Sequence, residues 1–528
     1  MCGEMVMRKA PFLSLALMLI GGAAQAQGPA LRIAVGGAFT SMDPHYHTLT
    51  PNNAMNKHVF DRLVDTDENF RLRPGLAESW APVGDTAWEF KLRRNVLWHD
   101  GAPFTAADVV ATFARVPEVR NSPGSFVLYI RSVQRLEVVD DHTIRLHTAA
   151  PFPLMPNLMS GLPITSRKAL PATDTAEFNS GRAAIGTGPY RLVSYSPGSQ
   201  AVFTRNPDWY GAPQPWSRVD YRVIPNDGAR IAALRAGDVD VIDTVPTRDV
   251  ETLRAIPNLA IASKPGLRNI FLYLDHAREH PPGVSGPNGE ALANNPLRDN
   301  RVREALSVAI NRPAIARQVM SGLATPSGQF LAAGVMGHDP QTTAPAFDMA
   351  RAQKLLAEAG YPNGFRIVLA GPNNRYINDE QVLQAVAQMW SRIGVKADVQ
   401  AMPSNVYFAR SARDEFPVGL SGWGTSSGEP DSPMVALIAS KDPARGRGTS
   451  NRSGYSSAEF DGLLDRALET IDPAAREEFY RQATRVAMRD HAIIPLHHQV
   501  NVWASRRAVK VIARNDEETY AMSMSPAE

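Results

Sequence analysis

Residues 424–428, Gly-Thr-Ser-Ser-Gly, spell G-x-S-x-G, the spacing that presents a nucleophilic serine on a tight strand-to-helix turn. The candidate nucleophile is Ser426. It would need a histidine to take its proton and a carboxylate to orient that histidine, and Asp461 and His491 follow in a workable order. With 53 acidic residues and 12 histidines in the chain, that order selects little. An elbow also requires a helix to start at once after the serine, whereas Gly428, Pro430 and Pro433 crowd the next seven residues. No helix is expected before Pro433, and no glycine-rich oxyanion loop stands upstream. An exported serine hydrolase using Ser426 is therefore the alternative reading, not the first.

Two close histidine pairs, His45-Tyr-His47 and His497-His498, could contribute to a transition-metal site. Neither has a cysteine or an evident carboxylate beside it, so both are read as packing and hydrogen-bonding groups, with no metal. Phosphate chemistry is not encoded either. No G-x-x-x-x-G-K-[ST] occurs, and residues 186–190, Gly-Thr-Gly-Pro-Tyr, lack the lysine and helix start a nucleotide needs. No cofactor is expected.

The elements that position such residues begin after an export signal. Arg8-Lys9 precedes a short apolar run, residues 11–20, and Ala24-Gln25-Ala26 offers a cleavage site. That run is too short to span a bilayer comfortably, so residues 1–26 are expected to be a removable signal peptide. The single cysteine, Cys2, lies ahead of the run and cannot carry a lipid anchor. The exported chain then has no thiol, disulfide or cysteine metal site. Charge is nearly balanced, 55 basic against 53 acidic residues, which offers no electrostatic reason to bind nucleic acid or an anionic membrane. At 528 residues, several domains are expected.

Strand and helix signals alternate, favouring an α/β architecture. One unit is explicit. Residues 365–370 read as a buried strand. Asn378 can cap a helix whose apolar positions Val382, Val386, Met389, Trp390 and Ile393 share a face, with Gly394 ending it. Residues 395–399 alternate as a second strand. A right-handed crossover makes the two strands parallel. Ligands of open α/β sheets sit beyond the carboxyl ends of strands, which makes Arg375 and Tyr376, in the loop 371–377, candidates. Further helices are expected to start at Asn300, after Asp348 and after Asp472-Pro473, and a capping box at Thr105-Ala-Ala-Asp108.

Several longer stretches resemble one family in order along the chain: residues 60–63 (Phe-Asp-Arg-Leu), 72–80 (Leu-Arg-Pro-Gly-Leu-Ala-Glu-Ser-Trp) and 90–101 (Phe-Lys-Leu-Arg-Arg-Asn-Val-Leu-Trp-His-Asp-Gly). Then come 186–190, 205–211 (Arg-Asn-Pro-Asp-Trp-Tyr-Gly), 237–240 (Gly-Asp-Val-Asp) and 301–306 (Arg-Val-Arg-Glu-Ala-Leu). Together they resemble the family 5 extracellular solute-binding proteins, which serve ABC importers of dipeptides, oligopeptides, glutathione or nickel chelates. The resemblance implies a two-lobed α/β periplasmic binding protein fold, type II, cluster C. Lobe I would comprise residues 27–272 and return with 497–528, carrying an extra subdomain at about 72–186. Lobe II would comprise 273–496.

It also implies a site. The Gly422-Trp423-Gly424 loop would face the cleft, with Trp423 walling the pocket beside Thr425. Peptide-binding members hold the peptide's α-ammonium with an aspartate shortly after this tryptophan. Ser426 matches that position, leaving Glu429 or Asp431 to replace the charge; glutathione-type members share the Gly428-Glu429 wording. Arg375 falls close to a carboxylate-anchoring arginine. Ser41, Tyr46 and Phe126 would complete the cleft from lobe I. The implied protein is a periplasmic, unlipidated monomer, not an enzyme. It captures a small, peptide-like, carboxylate-bearing solute for a membrane permease and its ATPase subunits.

Overall fold

The computed structural model describes residues 28–169, 174–425 and 427–527. The expected signal peptide and Ser426 lie outside them. Elements used below are, in chain order, strand β1 (Ala30–Val35), strands β2 (Ala77–Pro82) and β3 (Ala87–Leu92), and helix α1 (Ala106–Arg115). Next come strands β4 (Arg135–Asp140), β5 (Thr143–His147), β6 (Tyr190–Ser196), β7 (Gln200–Arg205), β8 (Arg218–Val223), β9 (Val241–Ile242) and β10 (Leu259–Leu274). Helix α2 (Asn300–Val308), strand β11 (Arg366–Pro372), helix α3 (Asp379–Ser391), strands β12 (Lys396–Met402) and β13 (Val418–Trp423), helix α4 (Pro473–Arg489) and strand β14 (Ile493–Arg506) follow.

Strands β10 and β14 organise the molecule. They run antiparallel over most of their length, with a register break between Pro265 and Asn269. On one side β14 pairs with β9, which leads through β1, β8 and β7 to β6. On the other side β10 pairs with β13, which pairs in parallel with β11. All lie in one twelve-stranded sheet, which passes from one α/β body into the other along these two strands. A proline cannot donate to the ladder, so Pro265 is a natural place for pairing to lapse.

The bodies have separate cores. Leu31, Ile33, Phe60, Phe203, Tyr221 and Trp503 fill the first, and Leu272, Leu306, Leu369, Trp390, Leu420 and Ile494 the second. Between residues 63 and 164 a four-stranded antiparallel sheet, β2-β3-β5-β4, packs with α1 around Phe90, Trp98, Phe104 and Ile144.

The β11-α3-β12 unit follows the sequence pattern, with β11 and β12 parallel from Arg366/Lys396 to Pro372/Met402. Asn378 does not cap α3 with its side chain. Its backbone is left-handed (φ 54°), and its Nδ2 instead donates to Thr247 Oγ1 at 3.0 Å and Val319 O at 2.8 Å. The neighbouring Asp379 turns back and accepts the N–H groups of Arg375 and Tyr376 at 2.9 and 3.0 Å. Asp348 and Asp472 cap their helices, accepting from Arg351 N and Ala475 N. Asp299, not Asn300, caps α2 by accepting from Arg301 N at 2.8 Å. Asp108 accepts the Thr105 N–H at 3.0 Å, the acidic half of the expected box. No helix among the described residues is long and apolar enough to cross a membrane.

Candidate ligand-binding cleft

A cleft of about 580 Å³ opens between the two bodies. Thr48, Thr50, Asn53, Phe70, Tyr129 and the tail segment 515–518 line one wall. Arg268, Arg375, Tyr376, Phe408, residues 421–425 and Ser432 line the other.

The second wall is built from strand ends. β11 delivers the loop that carries Arg375, and the Asp379 carboxylate fixes its backbone. Tyr376 is buried below the surface and donates its hydroxyl to Gly422 O at 3.3 Å. This ties the loop to the end of β13. Trp423 stands at that end with its indole N–H donating to Ser432 Oγ at 3.0 Å, so the ring's orientation is set. Arg375 is exposed, lies over the Tyr376 ring at 5.2 Å and forms no ion pair among the described residues.

The loop after Trp423 is braced from within. Thr425 Oγ1 donates to Glu429 O, and Ser427 Oγ donates to the Asp431 carboxylate. Burial pushes the Asp431 carboxyl up to about 6. Asn157, in the four-stranded unit, reaches across and donates to Ser427 O at 2.8 Å. Gly428 has φ 80° and sits against Phe70, where a Cβ would meet the phenylalanine ring at 2.9 Å.

Glu429 departs from its expected role. It is buried and accepts both Arg476 Nη2 at 2.9 Å and Nε at 3.1 Å, so its carboxylate clamps the loop to α4 and is not free for an ammonium. Burial raises its pKa, and Arg476 works against that shift. Three lobe I candidates also sit elsewhere. Ser41 is fully buried, donating to Asn179 Oδ1 at 2.9 Å and accepting from Asp43 N. Tyr46 borders a different hollow with Arg115 and Arg120. Phe126 packs inside the four-stranded unit, 5.4 Å from the Tyr129 ring. Tyr129, one helical turn on, is the aromatic that reaches the cleft. Of the expected residues, Arg375, Tyr376, Trp423 and Thr425 line this cleft together.

Sequence reasoning missed Phe70, Tyr129, Arg268 and the acidic run Asp516-Glu517-Glu518. The three consecutive acids near the chain end were the available signal. In the structure each has a cation: Arg514 for Asp516 at 2.5 Å, Arg268 for Glu517 at 3.1 Å, and Lys57 for Glu518 at 2.5 Å. Every acidic side chain lining the cleft is thus neutralised, and Arg375 alone of its charged lining is unpaired. The hydrogen-bonding reading of the histidine pairs fits the first pair. His45 Nε2 donates to Pro163 O at 2.8 Å while its Nδ1 accepts from Arg115, so both nitrogens are engaged. In the second pair, both ring nitrogens of His497 are buried with no hydrogen-bond partner among the described residues.

The sequence pattern of "Bacterial extracellular solute-binding proteins, family 5 Middle" matches residues 71–444. The chain belongs to that family. Among its relatives, the glutathione-binding protein GsiB of Escherichia coli (strain K12) is 28% identical over 475 residues, 88% of each chain. HbpA2 from Haemophilus parasuis superposes with a TM-score of 0.81 at 25% identity, over 94% of this chain and all of that one. The ABC transporter-associated periplasmic binding protein DppA from Helicobacter pylori, in complex with the peptide STSA, gives 0.74 at 23% identity, over 95% and 99%. The fold is the two-lobed α/β fold of these proteins. The family 5 protein is a solute-binding component of ABC import and not an enzyme, and nothing among its relatives supports the serine-hydrolase reading of the G-x-S-x-G match. The structure agrees at that loop, because the next helical turn starts only at Asp431, two residues earlier than expected but well after the serine.

Proposed function

We propose that this protein captures a small, carboxylate-bearing, peptide-like solute in the cleft and delivers it to a membrane permease. The observation that carries this reading is electrostatic. A guanidinium with no partner faces a cleft whose carboxylates are all paired, and a planar guanidinium offers a carboxylate two parallel charge-assisted bonds. Trp423, Tyr376, Phe70 and Tyr129 supply apolar walls at little entropic cost. The names of GsiB and of the peptide-bound DppA relative support the same chemical class. Its expected signal peptide supports a periplasmic, unlipidated protein, which in this reading acts as a monomer.

Capture works by closure. In this reading the lobes hinge on β10 and β14, which lose register near Pro265–Asn269. Contacts from both walls favour the closed state. Shifting such an equilibrium from about 1:99 to 99:1 takes about 5.5 kcal/mol of preference for the closed form. An Arg375–carboxylate pair with burial against the aromatic walls is of that order.

Native mass spectrometry of the exported protein, isolated from its own periplasm, tests the reading. A bound mass that is lost on denaturation and carries a carboxylate is expected. A metal chelate or an uncharged sugar in that mass would overturn the assigned solute class.

A further inference from the structure

Behind Trp423 lies a second, smaller hollow of about 90 Å³, which shares Phe408, Ser421 and Trp423 with the cleft and runs inward from it. Its walls are aromatic, formed by Phe271, Tyr273 and Tyr407. The tyrosines are held in place: Tyr407 donates to Leu420 O at 2.8 Å, and Tyr273 Oη lies 3.0 Å from Ser411 Oγ. One charged side chain lines it. Arg452 is half-buried there and forms no ion pair among the described residues.

A guanidinium beside an aromatic pocket, without a carboxylate, leaves an uncompensated charge where water is scarce, and such a charge strengthens any anion that reaches it. The hollow holds about three waters' worth of liquid volume, at about 30 Å³ each. That is room for a two- or three-carbon chain ending in a carboxylate, and too little for an indole. Serine hydroxyls at 411, 421 and 450 can serve the remaining carboxylate lone pairs.

We infer that this hollow is a subsite for an acidic side chain of the captured solute, with Arg452 as its counter-charge. The inference rests on the cleft being the ligand site. Arg375 then takes the main-chain carboxylate at the mouth, and Arg452 takes the side-chain carboxylate behind Trp423. The preferred solute carries two carboxylates.

The test is isothermal titration of the exported protein with the dipeptides Ala-Glu and Glu-Ala and their neutral counterparts Ala-Gln and Gln-Ala. The acidic member of at least one pair is expected to bind about tenfold more tightly, as one charge-assisted contact allows. In Arg452→Gln that ratio should fall to within about twofold, the acidic dipeptide losing more affinity than the neutral one. Equal or weaker binding of both acidic members by the natural protein overturns the subsite while leaving the cleft reading intact, and needs no variant. A ratio that persists in Arg452→Gln overturns the role of Arg452. Failure to bind any of the four overturns the cleft reading and the subsite with it.

Discussion

Replacing Glu429 with alanine separates a loop strut from a ligand contact. The Glu429 and Arg476 side chains are each only 7% exposed, and two hydrogen bonds of 2.9 and 3.1 Å join them. Arg476 also donates to Thr470 O and Ile471 O, which keep its guanidinium in place when the carboxylate is removed. The variant therefore strands a buried positive charge with two of its four hydrogen bonds lost, at a cost of about 3–5 kcal/mol. Urea unfolding of the ligand-free protein, followed by tryptophan fluorescence, reads this as a lower midpoint. A combined Glu429→Leu, Arg476→Met variant removes both charges and fills the space, and should recover most of the loss, since apolar replacement of a buried pair is often neutral or better. Ligand affinity of the natural protein and of the double variant should then agree within a few-fold. A Glu429→Ala variant that loses less than about 1 kcal/mol yet binds ligand more than tenfold more weakly would refute the reasoning. It would mean that the carboxylate faces the solute.

Arg375→Ala should weaken a carboxylate ligand by about 2–5 kcal/mol, tens- to thousands-fold, with an unchanged unfolding midpoint because the side chain is exposed and unpaired; equal affinity in the variant removes it from the site. Ser426→Ala should leave ester hydrolysis at the background rate of the natural protein, and loss of a real activity would revive the hydrolase. Stability should fall with acid through buried neutral histidines, His58 being the clearest. Its Nδ1 donates to Met55 O at 2.9 Å, its Nε2 accepts the Ala521 N–H at 3.1 Å, and burial holds its pKa down to about 4 from 6.5. Because the folded value lies below the unfolded one, the unfolded chain takes the proton first, and stability drains as pH falls from about 6.5 to 4. From pH 7 to pH 5 that loss is about 2 kcal/mol for one ring. His58→Gln should be less stable at pH 7 and lose about 2 kcal/mol less than the natural protein by pH 5; an unaltered pH response would clear His58 of that role.

Periodicity and punctuation determined the local structure. The β11-α3-β12 unit was legible because its apolar spacing, its capping region and Gly394 all lie within about thirty residues, and such signals act over one or two turns of chain. The same unit placed Arg375 and Tyr376 at the mouth of the cleft, since the carboxyl end of a strand is a topological position. Family wording along residues 60–306 carried the class of protein and the Gly-Trp loop.

Partnership was not legible, because it depends on residues far apart in sequence. Glu429 looked free until α4 brought Arg476 against it, 47 positions on. The acids at 516–518 gave no sign in the sequence of lining a cleft, and their pairing with Arg514, Arg268 and Lys57 draws two of the three cations from distant segments. Phe126 and Tyr129 are separated by a single helical turn and both pack in the core of the four-stranded unit, yet only Tyr129 also reaches the cleft, and the packing of that unit decides which ring does so. Asn378 was the expected cap and became a cross-link to Thr247 instead. Charge in the cleft is a sum over the whole fold, and only the tertiary structure decided that Arg375 is the charge left over.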